Sequence, residues 1–291
     1  MGRQQFPAGT PLRTSSIVST TTVSDVPFSD VTMMETVALI HLMVQKGDSP
    51  AHICTGNVDH LVLLQRDAEF RAAYETASLV LADGMPIVWM SAIARRTDDK
   101  PLRERVAGSD LFWELVQASA TTGLRIFFLG GAPGAADEAK AEAERRFPGC
   151  NICGTYCPPK DTFHTDAEQE RIAAVVRDAA PDVLLVGFGA PKQEKWILRN
   201  KARLGVPVSI GVGGTFEMAA GRVKRAPKAV QKVGMEWAYR MVQDPARLWK
   251  RYIANDLPFL AKALHKAWKP RPSTNSAAVH PRGVHPREGN S

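Results

Sequence analysis

Polar side chains that could do chemistry follow directly on apolar runs at several points of the chain. Asp83 follows the run 78–82, and Asn57 comes soon after the run 51–55. Gln193 comes after a third apolar run, 182–186, and two glycines and a proline lie between that run and Gln193. Because the carboxyl ends of parallel strands meet at one edge of a sheet, we expect these side chains to share a crevice.

Asp83 is the first candidate for a chemical role. A carboxylate that a strand delivers to a crevice could act as a general base, or it could accept backbone N–H bonds and cap the following helix. On the sequence alone, capping is the favoured of the two.

The stretch 181–196 is the second candidate. Its apolar run, glycines and proline are typical of a strand buried on both faces that passes into a helix. The free N–H groups at a helix start favour negative charge, so anionic substrates, and diphosphates especially, fit this place. We expect Pro191 at the first helical position, with Lys192, Gln193 and Glu194 facing the crevice.

Strand-like and helix-like segments alternate along most of the chain. This alternation predicts an α/β fold, with a mostly parallel, Rossmann-like sheet and helices on both of its faces. The predicted strands are 51–55, 78–82, 124–129, 182–186 and 207–214, and the predicted helices include 59–64, 85–93, 111–120, 166–180 and 191–204. Strand-end residues would then lie along one rim: Thr55, Asn57, Asp83, Gly130, Gly189, Gln193 and Gly213.

Neither glycine-rich turn has the spacing of a dinucleotide-binding site. The turn 130–134 lacks the G-x-G-x-x-G pattern, and Lys192 stands where the third glycine would follow Gly187 and Gly189. No acidic residue closes a following strand to hold a ribose. A nicotinamide enzyme is therefore disfavoured, and we expect no cofactor.

The positive charge of the chain is concentrated near its C-terminus. The 291 residues carry a formal charge of +7, and the segment 222–271 contains 13 Lys or Arg against 3 acids. Leu257, Leu260, Leu264 and Trp268 recur at helical spacing there, which predicts an amphipathic helix. Such a helix either packs on the core or lies at an acidic membrane surface.

These patterns divide the chain into four parts. We predict a disordered N-terminal arm over 1–20, an α/β domain over 21–233, a basic helical appendage over 234–270 and a disordered tail over 271–291. The chain contains no run of about 18 uncharged apolar residues, so we predict no transmembrane helix. Its start lacks a compact apolar region, so we predict no secretory signal. A cytoplasmic protein is expected.

The cysteines suggest a metal site only by their spacing. Cys150, Cys153 and Cys157 form a C-x2-C-x3-C cluster, with His164 as a conceivable fourth ligand. Cys150 and Cys153 flank an apparent strand, so the thiols need not converge. Buried or incidental thiols are the favoured interpretation, and no metal is expected.

An ordered set of short motifs resembles the WecG/TagA/CpsF glycosyltransferase family. The resemblance runs from about Val23 to Phe259. It is carried by Thr55-Gly56-Asn57, Ala82-Asp83-Gly84, the stretch 105–110 (RVAGSD), 128–131 (FLGG), 187–194 (GFGAPKQE), Arg225-Ala226-Pro227, 236–240 (EWAYR), Pro245 and Arg247. Glu217 departs from the pattern, because Asp is expected there, and we assign it no role.

The resemblance implies an inverting, metal-independent transfer of a sugar from a UDP-sugar to an undecaprenyl-diphosphate-linked saccharide. Asp83 would be the catalytic base, and Thr55, Asn57 and Gln193 would orient donor or acceptor. Arg105 would bind phosphate. No D-x-D motif occurs, so the departing diphosphate would be stabilised by cationic groups of the appendage: Arg240, Arg247, Lys250 and Arg251.

The same resemblance implies that the appendage contacts the cytoplasmic face of the inner membrane and completes the site. It leaves open the transferred sugar, with N-acetylmannosamine, its uronic acid and glucose as options. It also leaves open the oligomeric state, with a homo-oligomer among the options.

Two other kinds of protein remain as alternatives. A nucleotide-sugar hydrolase or epimerase would use the same crevice without an acceptor. A basic nucleic-acid-binding protein would explain the C-terminal charge, but the chain lacks a recognisable nucleic-acid motif and its aromatic residues lie on apolar stripes.

Overall fold

The computed structural model describes residues 18–47, 49–93 and 100–224, together with positions 226, 227, 230, 236, 239 and 242. The strands are β1 (Thr20–Val23), β2 (Val26–Ser29), β3 (Ala51–Gly56), β4 (Leu79–Ala82), β5 (Ile126–Gly130), β6 (Ile152–Tyr156), β7 (Val183–Gly187) and β8 (Val208–Gly211). The helices are α1 (Met33–Lys46), α2 (Val58–Leu63), α3 (Ala68–Glu75), α4 (Met85–Ile93), α5 (Gly108–Thr122), α6 (Ala135–Arg146), α7 (Asp166–Ala179), α8 (Lys192–Leu204) and α9 (Thr215–Ala219).

Six of these strands form one parallel sheet in the order β4-β3-β8-β7-β5-β6. The predicted Rossmann-like α/β fold is confirmed. The register aligns Gly56 with Ala82 and Gly130 with Gly187, so neighbouring strands end at nearly the same level. The loops that follow β3, β4, β5, β7 and β8 therefore lie along one edge, which we call the rim.

Alternate residues of each strand point to opposite faces of the sheet, and helices cover both faces. Ile53 packs on one face with Ile40 and Met43 of α1. Cys54, the next residue of β3, packs on the other face with Ile87 and Met90 of α4. Burial on both faces explains why the central strands read as continuous apolar runs.

A hairpin of β1 and β2 was not predicted and covers the edge of β4. The predicted arm ended near Thr20, where β1 begins. Val23 and Phe28 of the hairpin are buried, and the Val80 amide donates to Ser29 Oγ at 3.1 Å. The Ser- and Thr-rich sequence and the four-residue strands conceal the period-two pattern that would predict a hairpin.

Within the ranges given above, no helix is both long enough and apolar enough to cross a bilayer. Except at positions 236, 239 and 242, the predicted appendage over 234–270 lies outside the described residues, as do the tail over 271–291 and residues 1–17 of the arm.

Candidate active site at the rim

Asp83 lies immediately after β4, half-buried at the rim. Its backbone amide donates to the Gly56 carbonyl at 2.8 Å, which fixes it beside the end of β3. Its carboxylate oxygen Oδ1 accepts from the Gly108 amide at 3.2 Å. Asp83 therefore meets the first residue of α5, although the sequence suggested a cap on α4.

This contact places the Asp83 carboxylate at the N-terminus of α5. Gly108 begins α5, whose first amides carry partial positive charge. Ala107, the residue before the helix, makes no side-chain cap of its own. The Val106 amide donates to the Ala82 carbonyl at 2.9 Å and so holds the start of α5 against the end of β4. The helix start orients Asp83 while leaving it partly exposed to the crevice.

Thr55 lies beneath this point, on the neighbouring strand. Its side chain is buried, with 4% exposure, and its hydroxyl donates to the Gly211 carbonyl at 2.9 Å. A Cβ atom at Gly108 would lie 3.3 Å from Thr55 Cγ2, so the start of α5 rests on this threonine. Thr55 thus ties β3 to β8 and supports the segment that holds Asp83.

Asn57 caps α2 at the rim. Its side-chain oxygen accepts from the His60 amide at 3.2 Å, and its backbone is extended as at other helix N-caps. The residue follows β3 as predicted and remains half-buried.

Arg105 is held between two carboxylates. Its guanidinium lies 2.6 Å from Asp110 Oδ2 and 3.4 Å from Glu236 Oε2. Glu236 belongs to the basic C-terminal region of the sequence, so this contact brings part of that region to the rim. Arg103, the other arginine of this loop, pairs instead with Asp30 and Glu35.

Gln193 is turned inward beneath the rim, with 2% exposure. Its Oε1 accepts from the Gly189 amide at 3.1 Å and from the Gly213 amide at 3.0 Å. Its Nε2 donates to Glu194 Oε1 at 2.8 Å. The side chain therefore joins the loops after β7 and β8.

Glu194 does not face the crevice, which corrects the prediction. The side chain is fully buried at 0% exposure, and burial raises its pKa from 4.5 to about 7. Its second oxygen, Oε2, has no hydrogen-bond partner among the described residues. The prediction failed because a helix start has a buried side as well as a side toward the crevice.

Pro191 also differs from its predicted position. Pro191 precedes α8 as its cap residue, with a ψ angle of 3°. The Lys192 ammonium lies 3.4 Å from the centre of the Phe163 ring, toward the far end of the rim.

Four of the rim glycines fall into two groups. A Cβ at Gly187 would lie 2.8 Å from the Phe216 ring, and one at Gly211 would lie 2.6 Å from Gln193 Nε2, so these two are required by packing. Gly189 and Gly213 have φ angles of +75° and +56° and no atom within 4 Å of an added Cβ. Gly189 and Gly213 therefore leave open space beside the backbone at the rim.

Glu217 anchors the loop after β5. Its Oε1 accepts from the Ala132 amide at 2.7 Å, while Oε2 is buried and unpartnered within the described part of the chain. Glu217 stands where the family pattern led us to expect Asp, and its longer side chain makes a structural contact there.

The clustered cysteines point to different acceptors. The Cys153 thiol lies 3.4 Å from the Ile126 carbonyl and the Cys157 thiol lies 3.4 Å from the Gly131 carbonyl. Burial raises the pKa of both thiols. In the part of the chain that the structure describes, no group of three His, Cys, Asp or Glu is arranged to hold a metal ion.

The structure thus brings together Thr55, Asn57, Asp83 and Arg105 around the ends of β3 and β4. Gln193 supports the adjoining loops of β7 and β8. The four predicted cationic groups Arg240, Arg247, Lys250 and Arg251 lie outside the described residues. Sequence reasoning assigned no role to Gly108 or Glu236, although both lie within the motifs of the resemblance.

Comparison with known proteins agrees with this architecture. A family model described as "Glycosyl transferase WecG/TagA/CpsF family" matches residues 21–273. The chain belongs to this family, which confirms the resemblance and makes it a glycosyltransferase. It is 29% identical over 237 residues to the N-acetylglucosaminyldiphosphoundecaprenol N-acetyl-beta-D-mannosaminyltransferase of Bacillus spizizenii, a match that covers 81% of this chain and 88% of that relative.

Proposed function

We propose that this protein transfers a sugar from a UDP-sugar to an undecaprenyl-diphosphate-linked saccharide, with inversion, for bacterial surface or exopolysaccharide synthesis. The observation that carries the proposal is the half-buried Asp83, oriented by the Gly108 amide at the rim of a glycosyltransferase fold. The enzyme works on the cytoplasmic face of the inner membrane, where it associates peripherally.

Asp83 is the general base of this reaction. Its carboxylate takes the proton from an acceptor hydroxyl as that oxygen forms a bond to the anomeric carbon of the donor sugar. The bond from the anomeric carbon to the UDP oxygen breaks on the opposite face, so the configuration inverts. The Gly108 amide keeps the carboxylate in place during this step.

Positive side chains stabilise the phosphate groups of the two substrates. Arg105 binds a substrate phosphate, which must compete with Asp110 and Glu236 for the guanidinium. Arg240, Arg247, Lys250 and Arg251 stabilise the UDP that leaves, because guanidinium and ammonium groups pair with phosphate oxygens. No step requires a metal ion.

Thr55, Asn57 and Gln193 orient the substrates mainly by fixing the shape of the rim. The buried side chains of Thr55 and Gln193 form hydrogen bonds with backbone groups, so they position the loops that touch the donor. Asn57 is half-buried at the start of α2 and lies closest to solvent of the three.

The acceptor class is supported by the Bacillus spizizenii relative, whose name describes transfer to N-acetylglucosaminyldiphosphoundecaprenol. That name also makes UDP-N-acetylmannosamine the first donor to test. Its uronic acid and UDP-glucose are the next candidates.

The proposal is tested by incubating the full chain with each UDP-sugar and a lipid-linked N-acetylglucosamine diphosphate. We expect one donor to give a lipid-linked disaccharide and UDP, with an anomeric configuration opposite to that of the donor, as read by NMR. Reactions without acceptor are the control. UDP release that does not need the acceptor would identify a hydrolase, and a changed free UDP-sugar would identify an epimerase.

A further inference from the structure

A buried hydrogen bond lies beneath the end of β3. It joins Tyr74 of α3 to His60 of α2, with 2.5 Å between Tyr74 Oη and His60 Nδ1. Both side chains are buried, with exposures of 5% and 4%. Both rings also make edge contacts with Phe70. A polar pair therefore stands inside a cluster of largely apolar side chains.

Filling space does not require this polar pair. Two apolar side chains could pack there without removing polar groups from water. A buried hydrogen bond is directional, however, and fixes the two groups that it joins relative to each other. Burial also raises the pKa of Tyr74 well above its usual value, so the hydroxyl keeps its proton. The pair therefore holds α2 and α3 in one mutual arrangement.

The pair contacts the turn 56–60 on both sides of Asn57. On the side of β3, a Cβ atom at Gly56 would lie 3.2 Å from Tyr74 Oη, so the strand end packs directly on this hydroxyl. On the side of α2, the backbone amide of His60 donates to Asn57 Oδ1 at 3.2 Å. The Tyr74 hydroxyl therefore contacts the residue before Asn57 and also the residue whose amide the Asn57 side chain accepts.

The same strand end holds Asp83. The Gly56 carbonyl accepts the Asp83 amide at 2.8 Å, and Gly56 is aligned with Ala82 in the sheet. A shift of Gly56 would therefore move the backbone of Asp83. Displacing a reacting group by about 1 Å can lower the rate of an enzyme by about 10²-fold.

We propose that Tyr74 and His60 are positioning residues for sugar transfer. Their hydrogen bond fixes the turn 56–60 and so sets the side chain of Asn57 and the backbone of Asp83 before substrate binds. This inference rests on the proposed function, in which Asn57 orients a substrate and Asp83 is the base. Because both side chains are buried, they act through these two residues and not on the substrate.

Helix α3 is a fixed support for this hydrogen bond. Asp67, the cap residue of α3, pairs with Lys195 of α8. Glu69 of α3 pairs with Arg199 of α8 at 2.5 Å. Helix α8 also carries Gln193, which joins the loops after β7 and β8. The element that supports Asn57 is therefore tied to the element that braces the rest of the rim.

The test compares two variants that each lose one phenolic hydroxyl. Tyr74→Phe breaks the bond to His60. Tyr156→Phe is the matched control, because its hydroxyl donates to Glu168 at 2.7 Å and it lies on β6, near the opposite edge of the sheet. We expect Tyr74→Phe to lower kcat for transfer by about tenfold or more, with KM for the UDP-sugar within about twofold of the wild-type value. Tyr156→Phe should leave both constants unchanged.

Binding stoichiometry separates misplacement from loss of folded enzyme. Titration calorimetry with UDP counts the binding-competent sites in each sample, and kcat is expressed per site. A positioning role predicts a full complement of sites that turn over slowly. If the rate per site of Tyr74→Phe equals that of the wild-type chain, the inference is wrong.

A third variant tests whether the two residues act through one bond. His60→Leu removes the other partner, and a double variant combines it with Tyr74→Phe. If the bond carries the effect, the double variant is no slower than the slower single variant. Losses that multiply in the double variant would show that the two side chains act separately, which would overturn the pairing.

Hydrogen exchange of the peptide 56–64 tests the structural step without any transfer. We expect faster exchange of this peptide in Tyr74→Phe and unchanged exchange in Tyr156→Phe. Unchanged exchange in both variants would overturn the inference even if the transfer rate falls. Absence of transfer by the wild-type chain with every donor would refute the proposed function alone, since the exchange result does not depend on it.

Discussion

Two carboxyl groups near the rim occupy opposite environments. Asp83 is half-buried, and its carboxylate accepts the amide of the first residue of α5. Glu194 is fully buried, and desolvation raises its pKa to about 7. The first is suited to chemistry, while the second holds Gln193 in one orientation.

The buried acid should make stability depend on pH. The Glu194 pKa rises from 4.5 to about 7 on folding, so the native state retains a proton that the unfolded chain releases. Stability from this group is fully present below pH 4.5 and is lost as pH rises through about 7. Relative to Glu194→Gln, the wild-type free energy of unfolding should fall by about 3 kcal/mol across that window.

Urea unfolding of both proteins at several pH values measures this difference. His52 acts in the opposite direction, because burial lowers its pKa to about 3. It is present in both proteins, so their comparison isolates Glu194. Parallel stability curves for the two proteins would show that Glu194 does not titrate in this range.

At the scale of elements, α8 organises the rim through one side chain. Gln193 accepts the amides of Gly189 and Gly213 and so joins the loops after β7 and β8. Thr55 makes the corresponding connection between β3 and β8. The crevice is therefore braced from below at adjacent strand ends, which keeps its backbone geometry fixed before substrate binds.

Removing the Gln193 amide should loosen these loops. Gln193→Leu keeps the approximate shape but leaves the two glycine amides and Glu194 without this partner. We expect a loss of about 2–4 kcal/mol in the free energy of unfolding, together with lower transferase activity. Denaturant unfolding measures the free energy of unfolding, and the assay with the lipid-linked acceptor measures the transferase activity.

Gln117→Leu is the matched control for this substitution. Gln117 lies exposed on α5, so the same change there should alter stability by less than about 0.5 kcal/mol. If the two variants are equally stable, Gln193 does not brace the rim.

Strand ends could be predicted from the sequence because a buried parallel strand reads as an apolar run that stops abruptly. That pattern placed Asp83, Asn57 and Thr55 on neighbouring strands. It could not show that Thr55 and Gln193 turn inward. Local spacing does not reveal which rim side chains bond to backbone from another strand.

Contacts between residues far apart in the sequence could not be predicted either. Gly108 meets Asp83 from 25 residues away, and Glu236 meets Arg105 from 131 residues away. The hairpin of β1 and β2 was missed because its strands are short and rich in serine and threonine. Motifs shared with a family indicated that these segments belong together, but only the structure shows which atoms are in contact.

For the whole molecule, the candidate site and the C-terminal region of the sequence are in contact. Asp83 and α4 are adjacent along the chain, and Arg105 contacts Glu236 from the C-terminal region. The C-terminal region is therefore joined to the loop that precedes α5, beside Asp83.

The central claim is that Asp83 takes the proton from the acceptor. Asp83→Asn keeps an oxygen for the Gly108 amide and removes the base, and Asp178→Asn, at an exposed position on α7, is the control. The most direct measurement is the transfer rate of each variant, with UDP-sugar affinity determined on the same samples. We predict that Asp83→Asn lowers transfer by about 10²–10⁴-fold and leaves donor affinity nearly unchanged. Transfer by Asp83→Asn at close to the wild-type rate would contradict the account.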